Sequence, residues 1–119
     1  MAFMADPDCL FCRIAAGEVP ADIVHDDELV VAFRDVSPKA PTHLLLIPRR
    51  HIASAAELSG TDAEMLGRLF GVAARLAREA GVAEGGYRMV TNVGGDAGQS
   101  VAHLHFHLLG GRSLGWPPG

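Results

Sequence analysis

Ser100-Val101-Ala102-His103-Leu104-His105-Phe106-His107-Leu108-Leu109 decides how this chain is read. Three of the six histidines fall here, each separated from the next by one apolar residue. Successive side chains of an extended strand point to opposite faces, so His103, His105 and His107 would share one face. Leu104, Phe106 and Leu108 would share the other. On a helix, residues two apart do not face each other, and the same spacing would scatter the imidazoles. The stretch therefore predicts a strand with an apolar underside and a row of imidazoles above it. A lone histidine is ordinarily satisfied by its structural surroundings, whereas three in register mark a site.

Just upstream, Gly94-Gly95-Asp96-Ala97-Gly98 is a glycine-rich loop whose unhindered N–H groups suit phosphate oxygens. Gln99 and Ser100 add side-chain donors, and Asn92 closes the strand expected over residues 87–93. Most glycine loops are plain turns, so this one carries weight only beside the imidazoles. Three chemistries are open to the row. One is a metal site completed by water, and another is nucleophilic and acid–base work on a charged substrate. The plain alternative is a structural or pH-responsive patch. Anion donors beside imidazoles favour phosphoryl chemistry.

Cys9-Leu10-Phe11-Cys12 is half of a zinc site, needing two more ligands from elsewhere. A redox role is weaker, because no thioredoxin-like pattern surrounds the pair; two free thiols are the plain alternative. His51 follows an apolar run, and with His103 it completes a Cys9, Cys12, His51, His103 tetrahedron. His43 and His25 rank lower as ligands, standing at strand starts with no other polar cluster expected nearby. Asp35 ends a predicted strand, where a carboxylate either caps a turn or accepts hydrogen bonds from a ribose diol.

The remaining chain supports an α+β fold in one domain, residues 1–119, with an N-terminal extension over 1–8 and a tail over 112–119. Of 119 residues 49% are hydrophobic, and a net charge of −4 argues against non-specific binding of DNA or RNA. No membrane span or signal peptide is visible, so a cytoplasmic protein with reduced cysteines is expected. Asp8 would cap a short helix that Gly17 ends. Strands are expected over 22–25, 29–34 and 42–48, the last around Leu44-Leu45-Leu46-Ile47. Thr61 and Glu64 would form a capping box for a long helix. Met65, Leu66, Leu69, Phe70, Ala73, Leu76, Ala77 and Ala80 form its apolar stripe, and Gly81 its stop. About five mainly antiparallel strands with this helix across one face are expected.

The segment from Gly98 to Arg112 closely resembles the signature of the histidine-triad (HIT) superfamily. Residues 33–43 and 47–52 resemble the family's other blocks, and Trp116-Pro117-Pro118-Gly119 resembles the tail of the Hint branch, the nucleoside phosphoramidases. The resemblance implies a homodimer that joins two five-stranded sheets. It implies His105 as the nucleophile that takes the nucleotidyl group, with His107 contacting the phosphate and assisting proton transfer. His103 would orient the site, with His51 beside it. Asn92, Gly98, Gln99 and Ser100 would hold the phosphate and leaving group. Asp35 would bind the ribose, while Val36, Leu10, Phe11 and Ile14 wall the purine. Trp116 would approach the partner's site. The resemblance also supports a structural zinc that catalysis does not require. Arg34 departs from the best-studied members and bears on ribose or leaving-group preference; Ala97 departs outside the chemistry. The implied substrate is a purine nucleotide. A dinucleoside polyphosphate hydrolase or nucleotidyl transferase, or a nucleotide-binding scaffold, are the alternative readings.

Overall fold

Leu44-Leu45-Leu46-Ile47, too apolar for any edge, runs down the middle of the sheet. In the computed structural model, which describes residues 6–119, this run lies in β3 (Thr42–Pro48). The other strands are β1 (Ile23–Asp26), β2 (Val30–Arg34), β4 (Tyr87–Val90) and β5 (Phe106–Gly110). All neighbours pair antiparallel in the order β1-β2-β3-β5-β4. The α+β architecture with five strands is as expected. Residues 1–5 of the expected N-terminal extension lie outside the described residues.

Helix α2 (Ala63–Glu79) covers one face, where Leu69, Ala73 and Leu76 pack with Ala32, Leu46 and Leu108. The opposite face is covered by the short helix α1 (Leu10–Ala15), where Phe11, Cys12 and Ile14 pack with Val31, Phe33, Leu45 and Ile47. Strand alternation divides β3 between the two layers: Leu44 and Leu46 face α2, and Leu45 and Ile47 face α1.

Several local expectations are corrected. Cys9 caps α1 in place of Asp8, its sulfur accepting from Cys12 N–H at 3.4 Å. The capping box lies two residues early: Asp62 Oδ2 accepts from Ser59 N–H at 2.9 Å, because a 3-10 turn (Gly60–Asp62) precedes α2. Thr61 instead bonds Ser59 through its hydroxyl. In the stripe Val72 is buried, while Phe70 is 48% exposed and edges onto Phe106; Ala80 is exposed beyond the helix end. Gly81, at φ +78°, stops the helix as expected.

The histidine strand is shorter than predicted. β5 begins at Phe106, because β3 pairs with it only from Leu46 and β4 only from Val90. The preceding backbone is satisfied elsewhere, with Leu104 N–H on Ile52 O at 2.6 Å and the Thr91 hydroxyl on His105 O at 2.7 Å. The alternation of faces nevertheless survives, since Leu104, Phe106 and Leu108 all join the core under α2. β4 stops at Val90, so Asn92 stands beyond the strand it was expected to close.

Candidate active site and metal centre

Helix α1 brings both cysteines against the start of the histidine segment. Cys9 Sγ lies 3.3 Å from His103 Nδ1, Cys12 Sγ lies 3.5 Å from the same nitrogen, and Cys12 Sγ lies 3.3 Å from His51 Nδ1. The four ligand atoms are within 4.8 Å of one another. A tetrahedral zinc with ordinary Zn–S and Zn–N bonds sets sulfur and nitrogen about 3.6 Å apart, so the donor set fits this ion. His103 Nε2 bonds Pro48 O at 2.9 Å. A carbonyl only accepts, so the proton is on Nε2 and the Nδ1 lone pair faces the thiols, as in metal-ligating histidines. Burial lowers the His103 pKa to about 4, keeping the ring neutral at neutral pH. Burial pushes the Cys12 thiol up, opposed by the Asp6 N–H on its sulfur. The centre can hold a metal ion, and a cation is what would convert these thiols to thiolates.

Two residues on, the protonation is reversed. His105 Nδ1 bonds the His103 carbonyl at 2.7 Å, so Nδ1 carries the proton and Nε2 keeps its lone pair. The ring is buried and stands edge-on to Phe11, with centroids 5.1 Å apart. His105 and His107 line a cavity of about 310 Å³. Its apolar part includes Leu10, Phe11, Ile14, Phe33 and Leu45, and Arg34, Asp35, Val36 and Ser100 also line it. Cavities of this kind, apolar with a few convergent polar groups, are where small ligands bind.

The residues expected to hold phosphate divide. Ser100 lines the cavity, but Asn92, Gly98 and Gln99 are not among its walls. The Gln99 side chain is taken up by the backbone: Oε1 accepts from Gly94 N–H, and Nε2 donates to Ala53 O and Val101 O. Asp35 does cap its turn, Oδ1 accepting from Ser37 N–H at 2.8 Å, while also facing the cavity. Arg34 pairs with Asp22 at 3.0 Å.

His43 and His25 stay outside the cysteine centre, in line with their low ranking as its ligands, but each stands in a polar cluster that was not expected. His43 Nε2 is 2.9 Å from His107 Nδ1 and 3.4 Å from Asp35 Oδ2. His25 is held between Asp27 and Arg75. His43, Asp35 and His107 also form a three-donor group. Two nitrogens on one zinc would stand about 3.3 Å apart, and 2.9 Å is instead a direct hydrogen bond. Burial lowers the His43 pKa, with Asp35 opposing it. Burial likewise lowers that of His107, reinforced by His105 and His43. The signal for His43 lies in the register. Leu45 pairs with His107, which makes His43 its diagonal neighbour on the same face.

A family model for the HIT domain matches residues 16–114. The chain is 50% identical over 112 residues to an uncharacterised HIT-like protein of Synechococcus elongatus, covering 94% of this chain and 97% of that one. It is 48% identical over 108 residues to the purine nucleoside phosphoramidase of Escherichia coli K12, covering 91% of each. The crystal structure of a HIT family hydrolase from Legionella pneumophila superposes with a TM-score of 0.92 at 51% identity, covering 94% of this chain and all of the other.

Proposed function

The chain belongs to the HIT domain family, and from that premise we propose that it cleaves the P–N bond of purine nucleoside 5′-phosphoramidates. At the coarser level it is a HIT-family nucleotide hydrolase. The purine and ribose would occupy the cavity between α1 and Asp35. His105 Nε2 attacks phosphorus, the P–N bond breaks and the amine leaves, with the nucleotidyl group held on His105. Water then attacks phosphorus and the histidine–phosphorus bond breaks, releasing the nucleoside monophosphate. His107 passes a proton to the amine as it leaves, and the attacking water, whose hydroxyl goes to phosphorus, returns one to His107. His107 and Ser100 donate to phosphate oxygens, where a single well-placed donor contributes about 3 kcal/mol.

The observation that carries this reading is the His105 Nδ1 bond to the His103 carbonyl, which aims an unprotonated Nε2 into a nucleoside-sized cavity. Zinc in the Cys9, Cys12, His51, His103 centre is structural in this reading, since its ligands leave His105 Nε2 and His107 untouched. The protein acts as a homodimer, which the edge strand β4 and the exposed Tyr87 and Trp116 favour. Among the described residues no helix is long and apolar enough to cross a membrane.

The test is turnover of adenosine 5′-phosphoramidate by His105→Ala. A loss on the order of 10³-fold or more is expected, with binding of adenosine monophosphate retained. Wild-type turnover by this variant would overturn the mechanism.

A further inference from the structure

The side of His107 away from the substrate cavity is tied to the chain's C-terminal turn by a closed circuit of contacts. Lys39 N–H donates to His43 Nδ1 at 3.0 Å. A backbone amide has no lone pair to offer, so His43 Nδ1 is the acceptor and its neutral ring carries the proton on Nε2. That proton points at His107 Nδ1, 2.9 Å away, which leaves the His107 proton on Nε2. His107 is thereby an N–H donor through Nε2. The residue that begins this chain is held on its carbonyl side as well, where Arg112 Nε donates to Lys39 O, in the next peptide group, at 3.0 Å. Arg112 Nη1 also donates to Ser113 O, which fixes its own fork. Next to it, Gly111 at φ +90° lies so close to Pro41 that a β-carbon there would meet the proline ring at 2.9 Å. Because β5 carries His107 directly into this turn, the circuit runs from strand to turn to loop and back to the same imidazole.

We propose that the Gly111–Arg112 turn is a positioning device for the reaction. Through the backbone on either side of the Lys39 Cα and through His43, it holds His107 as an Nε2–H donor facing the phosphate. The inference rests on the phosphoramidase reading for its kinetic consequence, but the ring states it specifies stand apart from any substrate. Neither Arg112 nor Gly111 lines the nucleoside cavity, and both are exposed, so changing them does not hollow the core.

Arg112→Ala, Arg112→Lys and Gly111→Ala are compared with the unaltered protein by turnover of adenosine 5′-phosphoramidate and by nitrogen-15 NMR of the histidine rings at neutral pH. The resonances are assigned with His43→Gln and His107→Gln. In the unaltered protein both rings should be Nε2–H tautomers. Arg112→Ala and Gly111→Ala should mix the tautomers and lower kcat about tenfold, a fraction of the 10²–10³-fold cost of deleting such a donor outright. KM should stay within about twofold, because the nucleoside contacts are untouched. Arg112→Lys, which keeps one donor for Lys39 O, should recover most of the loss. Unchanged tautomers in Arg112→Ala, or a loss confined to KM, would overturn the inference. If the unaltered protein cleaves no phosphoramidate, the functional reading falls and the ring tautomers still decide this one.

Discussion

His103 and His105 are separated by a single leucine, and each gives one ring proton to a backbone carbonyl, yet they do opposite things. His103 spends Nε2 on Pro48 and turns Nδ1 to two thiols. His105 spends Nδ1 on His103 and turns Nε2 to a cavity. In the proposed reading, which nitrogen meets the carbonyl separates a metal ligand from a nucleophile. His25 is the third case: Arg75 donates to its Nδ1 and its Nε2 bonds Asp27 at 2.6 Å, so neither nitrogen remains for chemistry.

Replacing the metal ligands gives the sharpest break in this comparison after loss of His105 itself. Cys9→Ser with Cys12→Ser should abolish zinc binding, measured as metal content after dialysis. At zinc a thousandfold above its Kd, the bound ion stabilises the fold by about 4 kcal/mol, and the double variant should lose that much in denaturant unfolding. Its kcat should stay within about threefold, because the His103 carbonyl persists, while a rise in KM would report the α1 wall. A kcat that collapses with the metal would erase the distinction between the two histidines.

A smaller effect is expected from the apolar side of the same segment. Leu108 is fully buried between β5 and α2, and Leu108→Ala should cost about 3 kcal/mol, read by chemical denaturation. The surviving folded fraction should keep normal turnover per site, since the leucine touches no reacting group.

The least effect on activity should come from the saturated histidine cluster. Burial raises the Asp27 carboxyl, but hydrogen bonds from His25, Leu29, Val30 and Arg68 outweigh it and hold the pKa at about 2. A depressed carboxyl contributes stability that is present above its unfolded pKa, near 3.8, and is lost as pH falls towards 2. Asp27→Asn should therefore cost roughly 2 kcal/mol at pH 7, with the difference closing below about pH 3 and turnover unchanged. Loss of activity in that variant would give His25 a role its contacts deny.

Much of this was legible because it depends on period and composition. The apolar run of β3, the alternation through Leu104, Phe106 and Leu108, and the stripe of α2 are local patterns, and they place two of the three layers. The metal centre was legible because Cys9-x-x-Cys12 demands two more ligands and few nitrogens were on offer. What escaped depends on register and on backbone partners. His43 shows no local sign of its role, which follows from Leu45 pairing with His107. Thr91, whose hydroxyl holds the His105 carbonyl, is similarly invisible without the pairing of β4 with β5. Helix α1 spans six residues, too short for a periodic signal, so its cover over the imidazole face was legible only through the cysteine pair and the family resemblance. Gln99 looked like a free donor because a sequence does not show which carbonyls lie nearby.

The group that sets the proton on His105 is a peptide oxygen, and every amino acid brings one. Exchanging the imidazole at position 103, or the sulfurs at positions 9 and 12, would therefore leave in place the carbonyl that sets the tautomer of His105. Within one chain, the capacity to hold a metal ion and the tautomer of His105 rest on different groups. The first is written in four side chains, the second in a backbone carbonyl that any residue at position 103 would supply.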